Sequence, residues 1–313
     1  MLSTTPRHNP IAGSLALLLA GSLVVSSPQP SYGQSWLPLL FQGIQIIQLS
    51  TLSQNQEVAI GKQVNQELIR SRKIRLSRNA ALQYQIDRIG QRLAAASNRP
   101  NLPYTFQVVE DPAVNAFATV GGFVYINTGL IARAENEAEL AGVIAHEISH
   151  IAERHAINQM RNVALSQGLM SAAGINRNTM VQLGVQLAFN LPYSREMESE
   201  ADRLGLETLQ AAGYAPIGMV SFMKKLAQQG QSAPEFLSTH PNSASRVSDL
   251  SQQIDPATAY LGDGLDDQDY QKNIRSLLMA NKERILAPLY IILPKSRQIT
   301  FNIPDCIIKP PNS

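Results

Sequence analysis

The stretch from Glu139 to His155, Glu-Leu-Ala-Gly-Val-Ile-Ala-His-Glu-Ile-Ser-His-Ile-Ala-Glu-Arg-His, constrains this chain more than any other. Leu140, Val143, Ile144, Ile148 and Ile151 recur at helical spacing and give it a side that must be buried. At about 100° per residue, His146 and His150 share a face roughly 6 Å apart, close enough for both imidazoles to hold one metal ion. Zinc suits them, because it takes imidazole nitrogen readily and in catalytic sites uses three protein ligands and keeps a fourth position open. Glu147 is rotated off the ion but reaches a water held there, which makes it the candidate general base. Any fold this chain adopts has to turn the polar face of this helix into a cleft or the interior.

Such a site needs a third ligand, and the segment Ser194 to Gly205 offers one. Glu198 and Asp202 share a helix face, whereas Glu200 points elsewhere. Glu198 reads as the third metal ligand, and Asp202, one turn on, as the acceptor that fixes the tautomer of a ligating imidazole. His155 follows His146 by about half a helical turn in rotation, so an unbroken helix aims it to the opposite side. It also lacks the glycine turn that brings a third histidine round in the extended metzincin motif, and it reads as structural. Glu153 shares the face of the two histidines one turn beyond them and reads as a residue behind the site or at the surface.

With 313 residues, 44% apolar and 16% charged, the chain can bury a full core as one large domain or two small ones. Its formal net charge of +2 does not call for a nucleic-acid partner. Cys306 is the only cysteine, so no internal disulfide forms. Arg7 and His8 precede an apolar run from Ile11 to Val25, then Pro28, Pro30 and Ser31-Tyr32-Gly33. That is the shape of a secretory signal over residues 1–33, cut after Gly33, and it sends the protein to the periplasm or an equivalent extracytoplasmic space. Residues 34–53 form a linker or surface segment. Within it, Trp36 to Leu52 is apolar but interrupted by Pro38, Gly43 and several Gln, and has two readings: packing on the body, or peripheral membrane contact.

Apolar spacing predicts helices over Gln54 to Ile69 and Asn79 to Ala96. Tyr104 to Glu110 and Phe123 to Asn127 read as strands, with Asp111-Pro112 and Gly121-Gly122 as turns, so a small antiparallel sheet is expected before the metal helix. Asn115-Ala116-Phe117-Ala118 between them is either part of an ordinary hairpin or an exposed edge that binds extended peptide by strand addition. From Asn162 to Ser194 the sole charge is Arg177, and the segment reads as a helical hairpin, either core or a lid over the site. Further helices are expected over Ile217 to Gln229, after Pro241, and over Asp267 to Leu286, with a strand at Ile299 to Ile303. The class is α+β, mainly helical.

Asn115-Ala116-Phe117 with Gly121-Gly122, His146-Glu147-Ile148-Ser149-His150, Glu198-Ser199-Glu200-Ala201-Asp202 and Thr239-His240-Pro241 through Arg246 together resemble zinc metallopeptidase family forty-eight. This is the family of HtpX, the CAAX prenyl proteases and the secreted BepA-type periplasmic proteases, and the likeness is nearest to the last type, without its repeat domain. The resemblance covers roughly Gln54 to Leu250, so 54–250 is the expected metallopeptidase domain and 251–313 an extension of unknown role. It implies a zincin-type fold with the sheet beside the metal helix, one zinc per chain on His146, His150 and Glu198, Glu147 as base and Asp202 behind a ligand. It further implies that His240 and Arg246 line the site and that an extended or unfolded polypeptide lies along Asn115 to Ala118. His240 then has two open roles, as a donor to the oxyanion or as a fourth zinc ligand that holds the enzyme off, and Arg246 is a further donor. Cleavage of unfolded or misfolded envelope proteins is the function implied; the alternative is a chaperone or assembly factor with a closed or little-used zinc site.

Overall fold

A computed structural model describes residues 46–47, 51–169, 174–190, 192–228, 235–241 and 243–278. The expected signal at 1–33, the strand at Ile299 to Ile303 and the end of the helix expected to reach Leu286 lie outside the described residues. In chain order the elements are β1 (Ile46–Ile47), α1 (Gln54–Arg70), α2 (Ala80–Ala96), β2 (Thr105–Val109), β3 (Ala116–Thr119), β4 (Phe123–Asn127), α3 (Thr128–Arg133), α4 (Glu137–Ala152) and α5 (His155–Ser166). They continue with β5 (Ile175–Asn176), α6 (Arg177–Asn190), α7 (Arg195–Ala211), α8 (Ile217–Ala227), α9 (Glu235–Thr239), α10 (Ser243–Gln253) and α11 (Asp267–Tyr270). No helix among the described residues is long and apolar enough to cross a membrane.

Capping decides where the first long helices begin. The Ser53 hydroxyl accepts from the Gln56 amide while the Gln56 side chain accepts from the Ser53 amide, a reciprocal box at the start of α1. Asn79 caps α2 and Asn136 caps α4 in the same manner, through side-chain oxygens that satisfy amides with no partner in the first turn.

The three-stranded sheet has the order β2-β4-β3 and is mixed, not antiparallel as the sequence suggests. β3 runs antiparallel to β4, but β2 runs parallel to it, with Thr105 opposite Phe123. The stretch from Ala116 to Thr119 is itself a strand, so the chain reverses twice between β2 and β4 and regains its direction. The second reversal needs left-handed backbone at Gly121, whose φ is 78° and whose Cα faces α1 so closely that a Cβ would lie 2.7 Å from the Glu57 carbonyl.

Alternate residues of the sheet feed two cores. Val108, Ala116, Ala118, Val124 and Ile126 face α2 and α4, while Val109, Phe117, Phe123 and Tyr125 face α1, α5 and α6. The charge-poor segment does form a helical hairpin, α5 and α6, and Ile157, Met160, Met180 and Leu183 bury against the second face. At ~1.5–3 kcal/mol for each fully buried apolar side chain, the hairpin is part of the folding core as well as a cover. The body also runs past Leu250: Ala259, Tyr270 and Ile274 join the first core, and the Tyr270 hydroxyl donates to the Ile131 carbonyl at 2.7 Å.

Candidate metal centre

α4 is buried along almost its whole length, polar residues included, because α7 and α8 pack on it from the side away from the sheet. The approach of α7 depends on Gly205, where a Cβ would stand 3.1 Å from the backbone of His146. That closeness lets the short carboxylates of Glu198 and Asp202 reach the histidines.

His146, His150, Glu198 and His240, all buried, bring one ligand atom each to within 4.8 Å of the others. His146 Nε2 is 3.0 Å from His150 Nε2 and 3.2 Å from His240 Nδ1. Glu198 Oε1 lies 3.4 Å from His150 Nε2 and 2.9 Å from His240 Nδ1, and Oε2 lies 3.6 Å from His146 Nε2. Donors bound tetrahedrally at zinc distances stand about 3.3 Å apart, and these separations are of that size. The donor set, three imidazole nitrogens and a carboxylate, is also the chemistry a borderline-soft ion takes.

The electrostatics point the same way. Burial works against charge on His146, but the carboxylates of Asp202 and Glu198 beside the ring outweigh it and raise the pKa to about 9. Burial holds His150 well below the usual histidine range. The two rings meet Nε2 to Nε2 at 3.0 Å, converging on the point where a cation would stand. Burial would raise the Glu198 carboxyl, yet His240 and the hydrogen bonds of His146, His150 and His240 hold it far below the usual carboxylate range. Glu147 shifts the other way, upward by burial despite the nearby His240 and His146. Both its oxygens are buried without a hydrogen-bond partner, the nearest imidazole being His240 Nε2 at 3.4 Å from Oε1.

Asp202 takes the position read from the sequence, with Oδ1 3.1 Å from His146 Nδ1, although bent out of hydrogen-bond line. Arg246 lines the site but differs from the expected oxyanion donor. Its Nε and Nη2 donate to the two Asp202 oxygens at 2.6 Å each, and Nη1 pairs with Glu198 Oε2 at 2.6 Å, so it braces two carboxylates. Asn115, Ala116, Phe117 and Ala118 do lie on the edge strand, yet their side chains are buried, not exposed. Phe117 stacks on Tyr125 at 4.6 Å and meets Phe189 of α6 at 5.3 Å, so the hairpin covers this edge.

His155 needs the largest correction. α4 stops at Ala152, Arg154 takes left-handed backbone with φ 57° and ψ 30°, and α5 restarts at His155. The break returns the imidazole to the site, with Nδ1 2.9 Å from His150 Nδ1. Glu153 caps α4 outside the ligand cluster. Two aromatic residues carry no motif and were not legible beforehand: Tyr193 stacks on His150 at 4.0 Å, and Phe236 on His240 at 4.4 Å.

The family described as Peptidase family M48 matches residues 80–254. The beta-barrel assembly-enhancing protease of Yersinia pestis is 35% identical over 217 residues, which is 64% of this chain and 44% of that protein. The protein of the same name from Escherichia coli K12 is 30% identical over 75% of this chain and 51% of its own length. The mitochondrial metalloendopeptidase OMA1 of Schizosaccharomyces pombe is 30% identical over 55% of this chain and 53% of its own. The chain thus spans about half the length of the curated relatives it matches.

Proposed function

The chain belongs to peptidase family M48, and with the buried cluster in view we propose that it is a zinc-dependent endopeptidase that cleaves unfolded or misfolded polypeptides. The observation that carries this is the set of four buried donors within 4.8 Å of one another, beside a buried glutamate whose oxygens have no hydrogen-bond partner. His146, His150 and Glu198 would hold the ion. Zinc bound there would supply Lewis acidity, polarising a scissile carbonyl and lowering the pKa of water to about 7.

The remaining steps belong to the protein's own side chains. Glu147 takes a proton from the attacking water on one carboxylate oxygen and returns it to the leaving amine, a task its upward-shifted pKa suits near neutral pH. Asp202, braced by Arg246, fixes His146 with its proton on Nδ1 and its electron pair on Nε2. Peptide would add as a strand beside β3, which requires the α5–α6 hairpin to shift off Phe117, so flexible segments are the natural substrates.

Export through residues 1–33, action in the periplasm or an equivalent space, and service to envelope proteins complete the proposal. They draw on the signal shape and on the beta-barrel assembly named in the relatives. His240 at the fourth corner favours a second reading, an assembly factor whose site stays closed much of the time. The purified chain should degrade unfolded casein, lose that activity to a chelator and regain it with zinc. Casein left intact by the fully zinc-loaded protein would support the second reading instead.

A pH dependence follows from His146. Its imidazolium must give up a proton before Nε2 can take an ion, and its pKa of about 9 keeps that proton in place at neutral pH. Zinc uptake near neutral pH should release about one proton per ion, and apparent affinity should climb with pH until about 9, then level. Calorimetry in buffers of different ionisation enthalpy measures the released proton directly.

A further inference from the structure

His146 and His150 both aim Nε2 at the same point, but their Nδ1 atoms are met differently. A carboxylate, Asp202, stands behind His146. Behind His150 stands another imidazole, with His155 Nδ1 at 2.9 Å, and His155 Nε2 in turn lies 3.1 Å from Glu200 Oε2. His155 is 2% exposed, whereas the Glu200 side chain is 46% exposed, so the chain of contacts runs from the buried ligand to the surface. We propose that His155 and Glu200 form a relay that holds His150 in the tautomer with its electron pair on Nε2, which makes both of them positioning residues for the metal centre.

The proton count gives the relay its direction. A carboxylate only accepts, so His155 carries its proton on Nε2 and donates it to Glu200. With that proton on Nε2 and a single proton on the ring, His155 presents an electron pair on Nδ1, and His150 donates from Nδ1 to it. That leaves His150 Nε2 unprotonated, the form that binds a cation. The reverse order would put a proton on His150 Nε2 and set an electron pair of His155 against the Glu200 carboxylate. Glu200 therefore selects the ligating form from about two side chains away.

The break that places His155 is itself held from both sides. Left-handed backbone costs a non-glycine residue about 1–2 kcal/mol. Glu57, 1% exposed, offsets this by pairing with Arg154 Nε at 3.3 Å and with Arg99 at 3.2 Å. Arg154 Nη2 donates to the Leu52 carbonyl at 2.7 Å, and Arg99 Nη1 donates to the Ile151 carbonyl at 3.2 Å, at the end of α4. The turn that a glycine supplies in other metal helices is supplied here by a partly exposed arginine paired with the buried Glu57.

The inference rests on the reading of His150 as a metal ligand, and its test separates the two. Zinc affinity of the full chain is measured by competition with a chelator, and the His150 ring nitrogens are followed by 15N shifts in the metal-free protein. His155→Leu should weaken zinc binding about 10–100-fold and mix the His150 tautomers, and His155→Asn, which restores an acceptor near the Nδ1 position, should recover most of the loss. Glu200→Ala, on the half-exposed end where folding is not at risk, should weaken zinc binding roughly threefold or more and shift the tautomers the same way. Unchanged affinity and tautomer in Glu200→Ala and His155→Leu would overturn the relay, as would equal losses in His155→Asn and His155→Leu, which would mean packing alone. Should His155→Leu fail to fold, Glu200→Ala decides. A wild-type chain that takes up no zinc would instead overturn the metal centre itself.

Discussion

Glu147→Gln should lower peptide hydrolysis by about 10²–10⁴-fold while leaving one zinc per chain, because it removes a proton acceptor and not a ligand. The substitution keeps the size of the side chain in a site that is fully buried, so the neighbouring contacts of His240 and His146 need not change. What changes is basicity: burial raises the Glu147 carboxyl above the usual carboxylate range, whereas an amide is not a base in water. Metal content by elemental analysis and casein cleavage by gel assay measure the two halves of the expectation. Glu198→Ala is the contrasting control. It deletes the one carboxylate at a corner of the cluster and leaves Arg246 Nη1 without its 2.6 Å partner, so zinc and activity should fall together. Full zinc occupancy in Glu198→Ala would remove Glu198 from the ligand set, and undiminished hydrolysis in Glu147→Gln would remove the general base.

The clustering of His146, His150 and Glu198 was legible because helical spacing is local. His146 with His150, and Glu198 with Asp202, are each four residues apart, and either pair alone fixes a shared face whatever the fold around it. His155 was misplaced by the same rule, since the rule assumes an unbroken helix. No glycine marks the break at Arg154; the residue that stabilises it, Glu57, lies far upstream on α1 and meets it only in the folded chain. The sheet was misjudged for a related reason. Ala116 to Thr119 is short and wholly buried, so it shows no alternation of polar and apolar residues, and with it went the second chain reversal that makes β2 and β4 parallel. Tyr193 and Phe236 sit outside any periodic pattern, and their stacking on His150 and His240 is a product of tertiary packing. The family resemblance brought in what spacing had no means to give, the relevance of His240 and Arg246 to a site far upstream, but it did not say that Arg246 would be bound to Asp202 and Glu198 and not turned to substrate.

His240→Ala should raise turnover of a short unfolded peptide by about tenfold or more, with zinc retained. His240 Nδ1 stands 3.2 Å from His146 Nε2 and 2.9 Å from Glu198 Oε1, the spacing of a ligand and not of a group waiting beside one. In that position it fills the corner where water has to bind, and its Nε2 faces Glu147 Oε1 at 3.4 Å, so ligand position and general base are blocked together. Phe236, stacked on the ring at 4.4 Å, and the hydrogen bond its backbone N–H donates to the Val114 carbonyl at 3.2 Å tie this arrangement to the segment just before β3. Peptide adding beside β3 would therefore disturb the same segment that carries His240, which couples substrate arrival to opening. If the open form is a minor state of ~10% or less, freeing it gives the tenfold gain, and three protein ligands with water keep the metal. The opposite role, a donor from Nε2 to the oxyanion, predicts a fall of about 10²–10³-fold at equal zinc content. Peptide kinetics on metal-quantified His240→Ala separate the two by sign, and unchanged kinetics with unchanged zinc affinity would leave His240 with neither role.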